Sequence, residues 1–364
     1  MTARTGAALV TGATGLVGFA VLERLLRREP ERQVFVMTRS LERWERARQR
    51  LGALGERVIA LRGDVREAGC GLGATDHDRL ANSVTLVMHA AADTVFARPL
   101  DLARLTNTDG TAHIVELADE WPHVERLVYV STAYVAGRRT GLVLEDDNGT
   151  EAGWINGYEQ SKYEAEALVR SCRVPWVIAR SATIVCDGVG QAVRQLNAVH
   201  YTLRLWRDGL VPFMPGSAST PTDVVALDAV ADAIVSLAFH PDAARTTSHL
   251  CAGGSAMSAG DIMALAWDVW RGDAEWRRRS VPRPAFVNLA TYRLYESTVL
   301  ETADDRLQHV VRSLASYAPQ LAYPKCFDTT RADALFGGAA ASAEALWRTV
   351  LAELLPAQRA GAAA

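Results

Sequence analysis

Residues 7–18 read Ala-Ala-Leu-Val-Thr-Gly-Ala-Thr-Gly-Leu-Val-Gly and decide the fold class of this 364-residue chain. A short apolar run leads into a G-x-x-G-x-x-G turn, and apolar residues then recur at helical spacing. In such a turn the glycines permit a tight bend, a close approach to a pyrophosphate and packing of the helix on the strand. The stretch therefore predicts a nucleotide site at a helix N-terminus. The predicted contacts are Thr11, Gly12, Thr14, Gly15, Leu16, Val17 and Gly18.

Further short apolar runs alternate with helix-like segments through the first half of the chain. This alternation indicates right-handed βαβ units and a parallel sheet with helices on both faces. We therefore predict an α/β fold built on a Rossmann-type, doubly wound parallel sheet. The predicted strands are Ala7–Thr11, Val34–Thr38, Val58–Arg62, Thr85–Ala90, Leu127–Ser131 and Trp176–Ala179.

The second half of the chain is richer in aromatic residues and helix-like patterns. We predict that residues 1–185, rejoined by 222–250, form the nucleotide-binding domain. Residues 186–221 and 251–364 would form a smaller, mainly helical substrate lobe over the carboxyl ends of the strands, where ligands bind in such sheets. Candidates for an apolar pocket are Trp206, Phe213, Met214, Trp267 and Trp270. For most of them we expect core packing instead.

Composition excludes several classes of protein. A net charge of −3 gives no general attraction to nucleic acid. Five widely spaced cysteines suit neither a disulfide framework nor a zinc site, so we predict no metal and a cytoplasmic location. No uncharged apolar run reaches the roughly 18 residues of a membrane span, and we expect none.

The end of the second predicted strand bears on the choice of cofactor. An NAD site would carry Asp or Glu there for the ribose 2′-hydroxyl, but the sequence is Thr-Arg-Ser, with Arg39 in the middle. An arginine can form a fork with a 2′-phosphate, so we predict NADP(H). Arg46 and Arg50 on the following predicted helix could reach the same phosphate, but a solvated helix face is the preferred interpretation.

Other cofactor contacts are predicted at the ends of later strands. Asp64 and Val65 follow the third strand, where the Asp64 carboxylate would contact adenine; an ordinary turn is an equal alternative. Ala90 and Ala91 follow the fourth strand and offer small side chains where the cofactor passes the backbone. Asn107 either supports the active-site network or caps the helix that follows it.

Lysine is rare in this chain, which has two lysines among 39 cationic Lys and Arg residues. One of them, Lys162, stands four residues after Tyr158, a spacing that shares one helix face. A compact ammonium can bind a ribose hydroxyl, and it would lower the pKa of a nearby phenol from about 10 toward neutrality. Because such a phenol beside a hydride donor can protonate a carbonyl, the pair predicts a carbonyl reductase.

The glycine turn, the segment Asn107–Thr111, the pair Ser131-Thr132 and the Tyr158/Lys162 pair occur in an order that resembles the extended short-chain dehydrogenase/reductases. The resemblance implies that Thr132 binds the substrate carbonyl oxygen. It also implies that Tyr158 is the acid and that Lys162 holds the nicotinamide ribose. Ser131 is the competing hydroxyl and ranks second to Thr132.

Further segments narrow the resemblance to one branch of that family. Arg180–Asp187 lacks the Asn and Tyr-Gly-Pro of nucleotide-sugar epimerases. The segments Val36–Ser40, Ser131–Val135, Asn156–Lys162, Val211–Gly216, Thr222–Asp228 and Phe327-Asp328 are similar to those of acyl-thioester reductases. That branch comprises fatty acyl-CoA reductases, carboxylic acid reductase C-terminal domains and reductive-release domains of peptide and polyketide synthases. Ser181 and Cys186 replace the Pro and Gly usual in this branch.

This resemblance implies hydride transfer from NADPH to an acyl-CoA or carrier-bound acyl thioester, giving an aldehyde and, after a second hydride, an alcohol. Three alternatives remain open: an NADP-dependent reductase of a free ketone or aldehyde, a sugar-nucleotide epimerase that retains NAD, and a cofactor-sensing protein without catalysis. The presence of Thr132, Tyr158 and Lys162 together argues against the last.

Overall fold

A computed structural model of the chain describes residues 6–191, 195–315, 317–336 and 341–355. Its strands are β1 Ala7–Thr11, β2 Val34–Thr38, β3 Val58–Arg62, β4 Val84–His89, β5 Arg126–Thr132, β6 Gly141–Val143, β7 Trp176–Ser181, β8 Thr183–Cys186, β9 Phe213–Pro215, β10 Pro221–Thr222, β11 Val224–Ala226, β12 Thr246–Leu250, β13 Met257–Ser258, β14 Ala285–Val287 and β15 Lys325–Phe327. Its helices are α1 Leu16–Arg28, α2 Leu41–Gln49, α3 Ala74–Ala81, α4 Leu100–Asn107, α5 Asp109–Glu120, α6 Gly157–Ser171, α7 Ala198–Arg207, α8 Leu227–Phe239, α9 Ala259–Trp270, α10 Ala274–Arg279, α11 Leu289–Thr302, α12 Asp305–Leu314, α13 Thr330–Phe336 and α14 Ala343–Glu353.

Within these ranges the main sheet has seven parallel strands in the order β12-β7-β5-β4-β1-β2-β3. The strand order reverses between β1 and β4, so the carboxyl ends of these two strands open a crevice for a ligand. The predicted doubly wound Rossmann-type sheet is confirmed. All six predicted strands are present, with ends that differ by at most two residues. The edge strand β12 was not predicted because its sequence, Thr-Thr-Ser-His-Leu, lacks an apolar run.

Helices cover both faces of the sheet. Leu22 of α1 and Ile234 of α8 belong to the apolar core on one face. Ile114 of α5 and Val169 of α6 belong to the core on the other face. In a parallel sheet of this kind the helices begin at the carboxyl ends of the strands. The first turns of α1 and α6 therefore lie at the same end of the sheet. No helix in the described part of the chain is both long enough and apolar enough to cross a membrane.

A third core forms the C-terminal lobe, in which Trp206, Trp270, Trp276 and Trp347 are buried. The predicted division into two domains stays a prediction, and residues 192–194, 316, 337–340 and 356–364 of the predicted lobe lie outside the described residues. Packing departs from the predicted boundaries at two strands. The strand β11 pairs with β8 in the lobe core, whereas β15 pairs with β6 and its Phe327 joins a sheet core.

Candidate active site

The glycine turn between β1 and α1 is closed by contacts that exclude larger residues. Gly12 has φ +72°, and a Cβ there would lie 2.5 Å from the backbone of Ala90 and Ala91. A Cβ on Gly18 would lie 2.3 Å from the carbonyl oxygen of Gly12. The N-cap of α1 is Gly15, which has no side chain to bind the first free N–H groups of the helix. These N–H groups therefore remain available to an anion at the carboxyl end of β1.

A groove of ≈ 220 Å³ continues from this turn across the crevice. Among the predicted contacts, it is lined by Thr11, Gly12, Thr14, Gly15, Arg39, Asp64, Val65, Ala90 and Ala91. The first residues of α1, Leu16, Val17 and Gly18, lie outside its lining. Its glycine cradle and free helix N-terminus fit the pyrophosphate of a dinucleotide. Gly63 and Ala92, which belong to the predicted turns after β3 and β4, also line it, whereas the sequence reasoning did not single out Met37, Thr38, Ser40, Arg43 and Thr106 as contacts.

Three charged residues, Arg39, Arg43 and Asp64, line the end of the groove beside β2 and β3. The Asp64 carboxylate accepts a hydrogen bond of 2.6 Å from Arg66, which lowers the pKa of Asp64. That carboxylate is thus engaged within its own turn. Arg39 and Arg43 both line the groove. Helical spacing after Ser40, the N-cap of α2, was the signal that could have revealed Arg43.

Arg46 and Arg50, the other two arginines considered for this end of the groove, have different partners. Arg46 pairs with Glu42 at 3.4 Å, both side chains being largely exposed. The Arg50 guanidinium lies 4.1 Å from the centre of the Phe19 ring. Neither residue lines the groove, in line with the preferred interpretation of a helix face outside the site.

The end of β5 presents two neighbouring hydroxyls with different partners. Ser131 Oγ donates a hydrogen bond of 2.6 Å to Glu166 Oε1 in the protein interior. The Thr132 hydroxyl instead donates to the Ser181 carbonyl oxygen at 3.5 Å, and its interaction with the Tyr158 side chain acts to lower the pKa of Tyr158. Thr132 Oγ1 also accepts a hydrogen bond of 3.2 Å from the backbone of Tyr134. The Thr132 and Tyr158 side chains are therefore close enough to act on one substrate oxygen. The Ser131 hydroxyl is occupied by its hydrogen bond to Glu166.

The prediction that Lys162 lowers the pKa of Tyr158 is wrong for this structure. Burial raises the pKa of Tyr158 to about 12, and the Thr132 hydrogen bond only partly opposes it. Lys162 Nζ donates to the Val130 carbonyl oxygen at 2.8 Å and lies 4.0 Å from the centre of the Tyr129 ring. Burial lowers the pKa of Lys162 itself to about 7. Near neutral pH, Tyr158 is consequently a neutral phenol, whose O–H is available to donate to a substrate oxygen.

A buried ion pair lies one turn beyond Lys162 on the same face of α6. Glu166 Oε2 and Arg180 Nη2 are 2.7 Å apart, and both side chains are fully buried. Burial raises the pKa of Glu166, but Arg180 and its hydrogen bonds outweigh burial and bring it to about 2. The Glu166 charge in turn acts to raise the pKa of Lys162. The sequence reasoning missed this pair, although its i, i+4 spacing from Lys162 was a signal.

Asn107 connects three elements around the site. Its Nδ2 donates 2.9 Å hydrogen bonds to Ser161 Oγ and to the Asp93 carbonyl oxygen, and its Oδ1 accepts from Asp93 N at 2.8 Å. The N-cap of α5 is Thr108, without a side-chain cap, so Asn107 does not cap the helix that follows. Asn107 lies outside the groove lining and fixes the loop after β4 to α6. That loop carries Phe96, which the sequence reasoning missed.

An apolar cavity of ≈ 520 Å³ lies beyond this loop, between the sheet and the lobe. Of the predicted pocket residues, Trp206, Phe213 and Met214 line it. Trp267 lies outside its lining, and Trp270 packs edge-on against Trp206 with ring centres 5.0 Å apart. Phe96 both lines the cavity and stacks on Tyr158. Phe96 therefore connects the Tyr158 ring to the cavity, whereas Thr132, Tyr158 and Lys162 themselves line neither the cavity nor the groove.

Comparison with known proteins gives relatives over most of the chain. Residues 10–234 match the NAD-binding family described as Male sterility protein. The nonribosomal peptide synthetase asaC of Aspergillus flavus is 31% identical over 206 residues, which cover 50% of this chain and 20% of that protein. The L-2-aminoadipate reductase large subunit of Penicillium chrysogenum is 26% identical over 379 residues, covering 92% of this chain. The match covers 26% of that protein, so the chain spans only a minor part of both relatives.

A solved structure matches nearly the whole chain. The terminal R domain from the myxalamid PKS-NRPS biosynthetic pathway superposes with a TM-score of 0.79 and is 26% identical. The superposition covers 97% of this chain and 91% of that domain. The sheet and the lobe are therefore both shared with that domain.

Proposed function

The chain belongs to the NAD-binding family described as Male sterility protein, and we propose that it is an NADPH-dependent reductase of acyl thioesters. Its substrate would be an acyl-CoA or a carrier-bound acyl group, and its first product an aldehyde. The observation that carries the proposal is the stacking of Phe96, a residue of the cavity wall, on Tyr158, whose side chain interacts with that of Thr132. A groove with a glycine turn suited to a dinucleotide supports it. The relatives include an L-2-aminoadipate reductase and a nonribosomal peptide synthetase, which supports the same reaction class.

The residues of the groove support NADP(H) in preference to NAD(H). The turn from Gly12 to Gly15 and the first N–H groups of α1 would hold the pyrophosphate. Arg39 and Arg43, both in the groove lining, would bind the 2′-phosphate. The chain has Arg39 at the end of β2, the position where an acidic residue would repel that phosphate. Lys162 would hold the nicotinamide ribose. When bound, NADPH supplies the hydride that reduces the carbonyl carbon.

The protein's part in the reaction follows from two hydrogen-bond donors. Thr132 and the neutral phenol of Tyr158 donate to the carbonyl oxygen of the thioester and stabilise the negative charge that develops there as hydride adds. When the carbonyl re-forms, the carbon–sulfur bond breaks and the sulfur leaves with its electron pair as a thiolate, which then takes a proton from water. The negative charge on the oxygen is lost when the carbonyl double bond re-forms, so the Tyr158 phenol keeps its proton. Both donors are then in the state required for another cycle.

The proposal is tested by following NADPH consumption with acyl-CoAs, carrier-bound acyl groups, free aldehydes and free ketones, with the product identified by mass. Thioesters should be converted to aldehydes, with further reduction revealing an alcohol. Turnover of free ketones alone would reject the thioester reaction, and tightly retained NAD with sugar-nucleotide conversion would favour an epimerase.

The role of Tyr158 is tested separately with Tyr158→Phe. Removing the phenol should lower kcat by about 100-fold or more while NADPH binding is nearly unchanged, since such groups contribute 10² to 10⁴ in rate. Tyr163→Phe is the matched control, because Tyr163 is on the same helix and donates to the Asn148 carbonyl oxygen outside the site. Equal turnover by Tyr158→Phe and the control would reject Tyr158 as the donor.

A further inference from the structure

We infer that the apolar cavity accepts an acyl chain whose distal end is uncharged, so that the enzyme discriminates against acyl groups ending in a carboxylate. The inference rests on the proposed function, since it treats the cavity as the acyl site of that reaction. It adds a selection at the distal end of the acyl chain, argued from the wall of this cavity.

The lining of the cavity carries no charged side chain among the residues that the structure describes. One part of the wall contains Phe96 and Tyr134, next to Tyr158. Another part of the wall belongs to the buried core of the lobe. An acyl chain whose carbonyl lies beside Tyr158 would therefore place its distal end against that core. The core residues in this wall include Leu203, Trp206, Ile262, Met263, Leu314 and Trp347.

Several polar groups in the wall are already engaged within the protein. Asn197 Nδ2 donates to the Ile184 carbonyl oxygen at 2.6 Å, and Thr202 Oγ1 donates to the Ala198 carbonyl oxygen at 2.8 Å. Tyr134 and Thr183 share a hydrogen bond of 2.5 Å between their hydroxyls. A substrate carboxylate pressed against this wall would compete with bonds already made.

Gln320 is likewise engaged, because its side-chain amide donates to the Glu159 carboxylate behind the wall. Glu159 does not line the cavity, and its other oxygen accepts from Ile155 N at 2.9 Å. A charged distal end would therefore lose its water and gain at most neutral donors, such as the hydroxyls of Tyr292 and Tyr317, with no cation in the described lining to balance its charge.

The volume of the cavity also suits an extended hydrocarbon. An apolar cavity of roughly 150 Å³ is enough to hold benzene. At ≈ 520 Å³ this cavity has room for several times that number of carbon atoms, on the order of ten or more. Burial of each methylene contributes favourable transfer free energy, so affinity should rise with chain length until the cavity is filled.

The test uses two pantetheine thioethers of equal length, S-octyl pantetheine and its ω-carboxylated counterpart, with binding measured by calorimetry on the intact chain. Thioethers have no carbonyl, so their binding is independent of reduction. S-octyl pantetheine should bind at least about 100-fold more tightly than the carboxylated probe, the discrimination expected when a charge has no oppositely charged partner. Equal affinity for the two probes, or no binding of S-octyl pantetheine, would overturn the inference.

Two variants locate the binding. Ile262→Trp and Thr202→Trp each fill the cavity from a different part of its wall, and either should weaken S-octyl pantetheine by about 10-fold or more. Leu294→Trp is the control, since Leu294 is 67% exposed and lies outside the lining. Thermal unfolding identifies any variant that fails to fold, and unchanged octyl binding by both folded cavity variants would reject the site.

The proposed function can fail independently. Cavity-dependent binding of S-octyl pantetheine without reduction of any octanoyl thioester would reject thioester reduction while supporting the preference for an uncharged chain. Reduction of octanoyl and ω-carboxyoctanoyl thioesters at equal kcat/KM, together with equal binding of the two thioethers, would support the reaction and reject the preference.

Discussion

The ring of Phe96 stacks on the ring of Tyr158, with centres 5.2 Å apart and 19° between the ring planes. Phe96 also meets Tyr134 and Tyr317 edge-on, at 6.1 and 6.4 Å. This contact covers the phenol on the cavity side, and burial is the main cause of the raised pKa of Tyr158. The loop after β4 therefore contributes to the protonation state of a residue on α6.

Phe96→Ala should reduce kcat/KM for a thioester by about 2- to 10-fold, since a stacked aromatic pair contributes about 0.5–1.5 kcal/mol. With less burial, the pKa of Tyr158 should move down from about 12. Because the phenol must be protonated, activity should be lost at a lower pH in the variant than in the wild type. The pH dependence of kcat/KM measures this shift.

Val95→Ala is the control for the Phe96 variant, since Val95 lies on the same loop, is 48% exposed and lines the cavity without stacking on Tyr158. It should keep the wild-type alkaline limit. An identical pH profile for all three proteins would show that the stack does not influence the phenol.

Sequence patterns predicted the parts of the site that are formed by residues close to one another in sequence. The glycine turn, the strand ends and the Tyr158/Lys162 spacing are local, and all lie at one edge of the sheet. The Lys162 effect on the Tyr158 pKa failed because burial of both groups depends on residues distant in sequence. Phe96 was not foreseeable, since an aromatic residue in a loop has no periodic pattern. Strand β12 was missed because pairing with β7, not its own sequence, makes it a strand.

Thr132→Ala and Ser131→Ala separate catalysis from stability at neighbouring positions. Removing the Thr132 hydroxyl should lower kcat by about 10²- to 10³-fold, the usual loss for one donor to an oxyanion. Ser131→Ala removes a buried hydrogen bond to Glu166 and should cost about 1–3 kcal/mol of unfolding free energy, with a smaller effect on kcat. Steady-state kinetics and urea unfolding measure the two effects. If Ser131→Ala gives the larger loss in kcat, Ser131 is the substrate donor.

Arg39→Ala should weaken NADPH binding by about 10- to 100-fold and leave NADH binding nearly unchanged, since a charge-assisted hydrogen bond contributes about 1.5–3 kcal/mol. Arg46→Ala is the control, because Arg46 is an exposed cation on the adjacent helix and lies outside the groove lining. Fluorescence titration with both cofactors measures the four affinities. Equal losses for NADPH and NADH would show that Arg39 does not bind the 2′-phosphate.

The buried pair of Glu166 and Arg180 should make stability depend on pH in the acid range. The pKa of Glu166 is lowered from 4.5 to about 2 in the folded chain, so its contribution is complete above pH 4.5 and is lost as pH falls toward 2. Glu166→Gln leaves Arg180 without its carboxylate and should cost about 3–5 kcal/mol at neutral pH. Urea unfolding between pH 7 and the acid limit should show the wild type and the variant converging below about pH 4.5.

A double variant separates the value of the pair from the cost of breaking it. Glu166→Leu combined with Arg180→Met removes both charges, so it should lose less unfolding free energy than Glu166→Gln alone, since replacing a whole buried pair by apolar residues is often neutral. Ser131 and the partly exposed Arg170 then lose their acceptor, which sets a residual cost of about 1 kcal/mol or more. If the double variant is as unstable as the single one at every pH, hydrogen bonds to other groups, rather than the isolated charge of Arg180, dominate the loss.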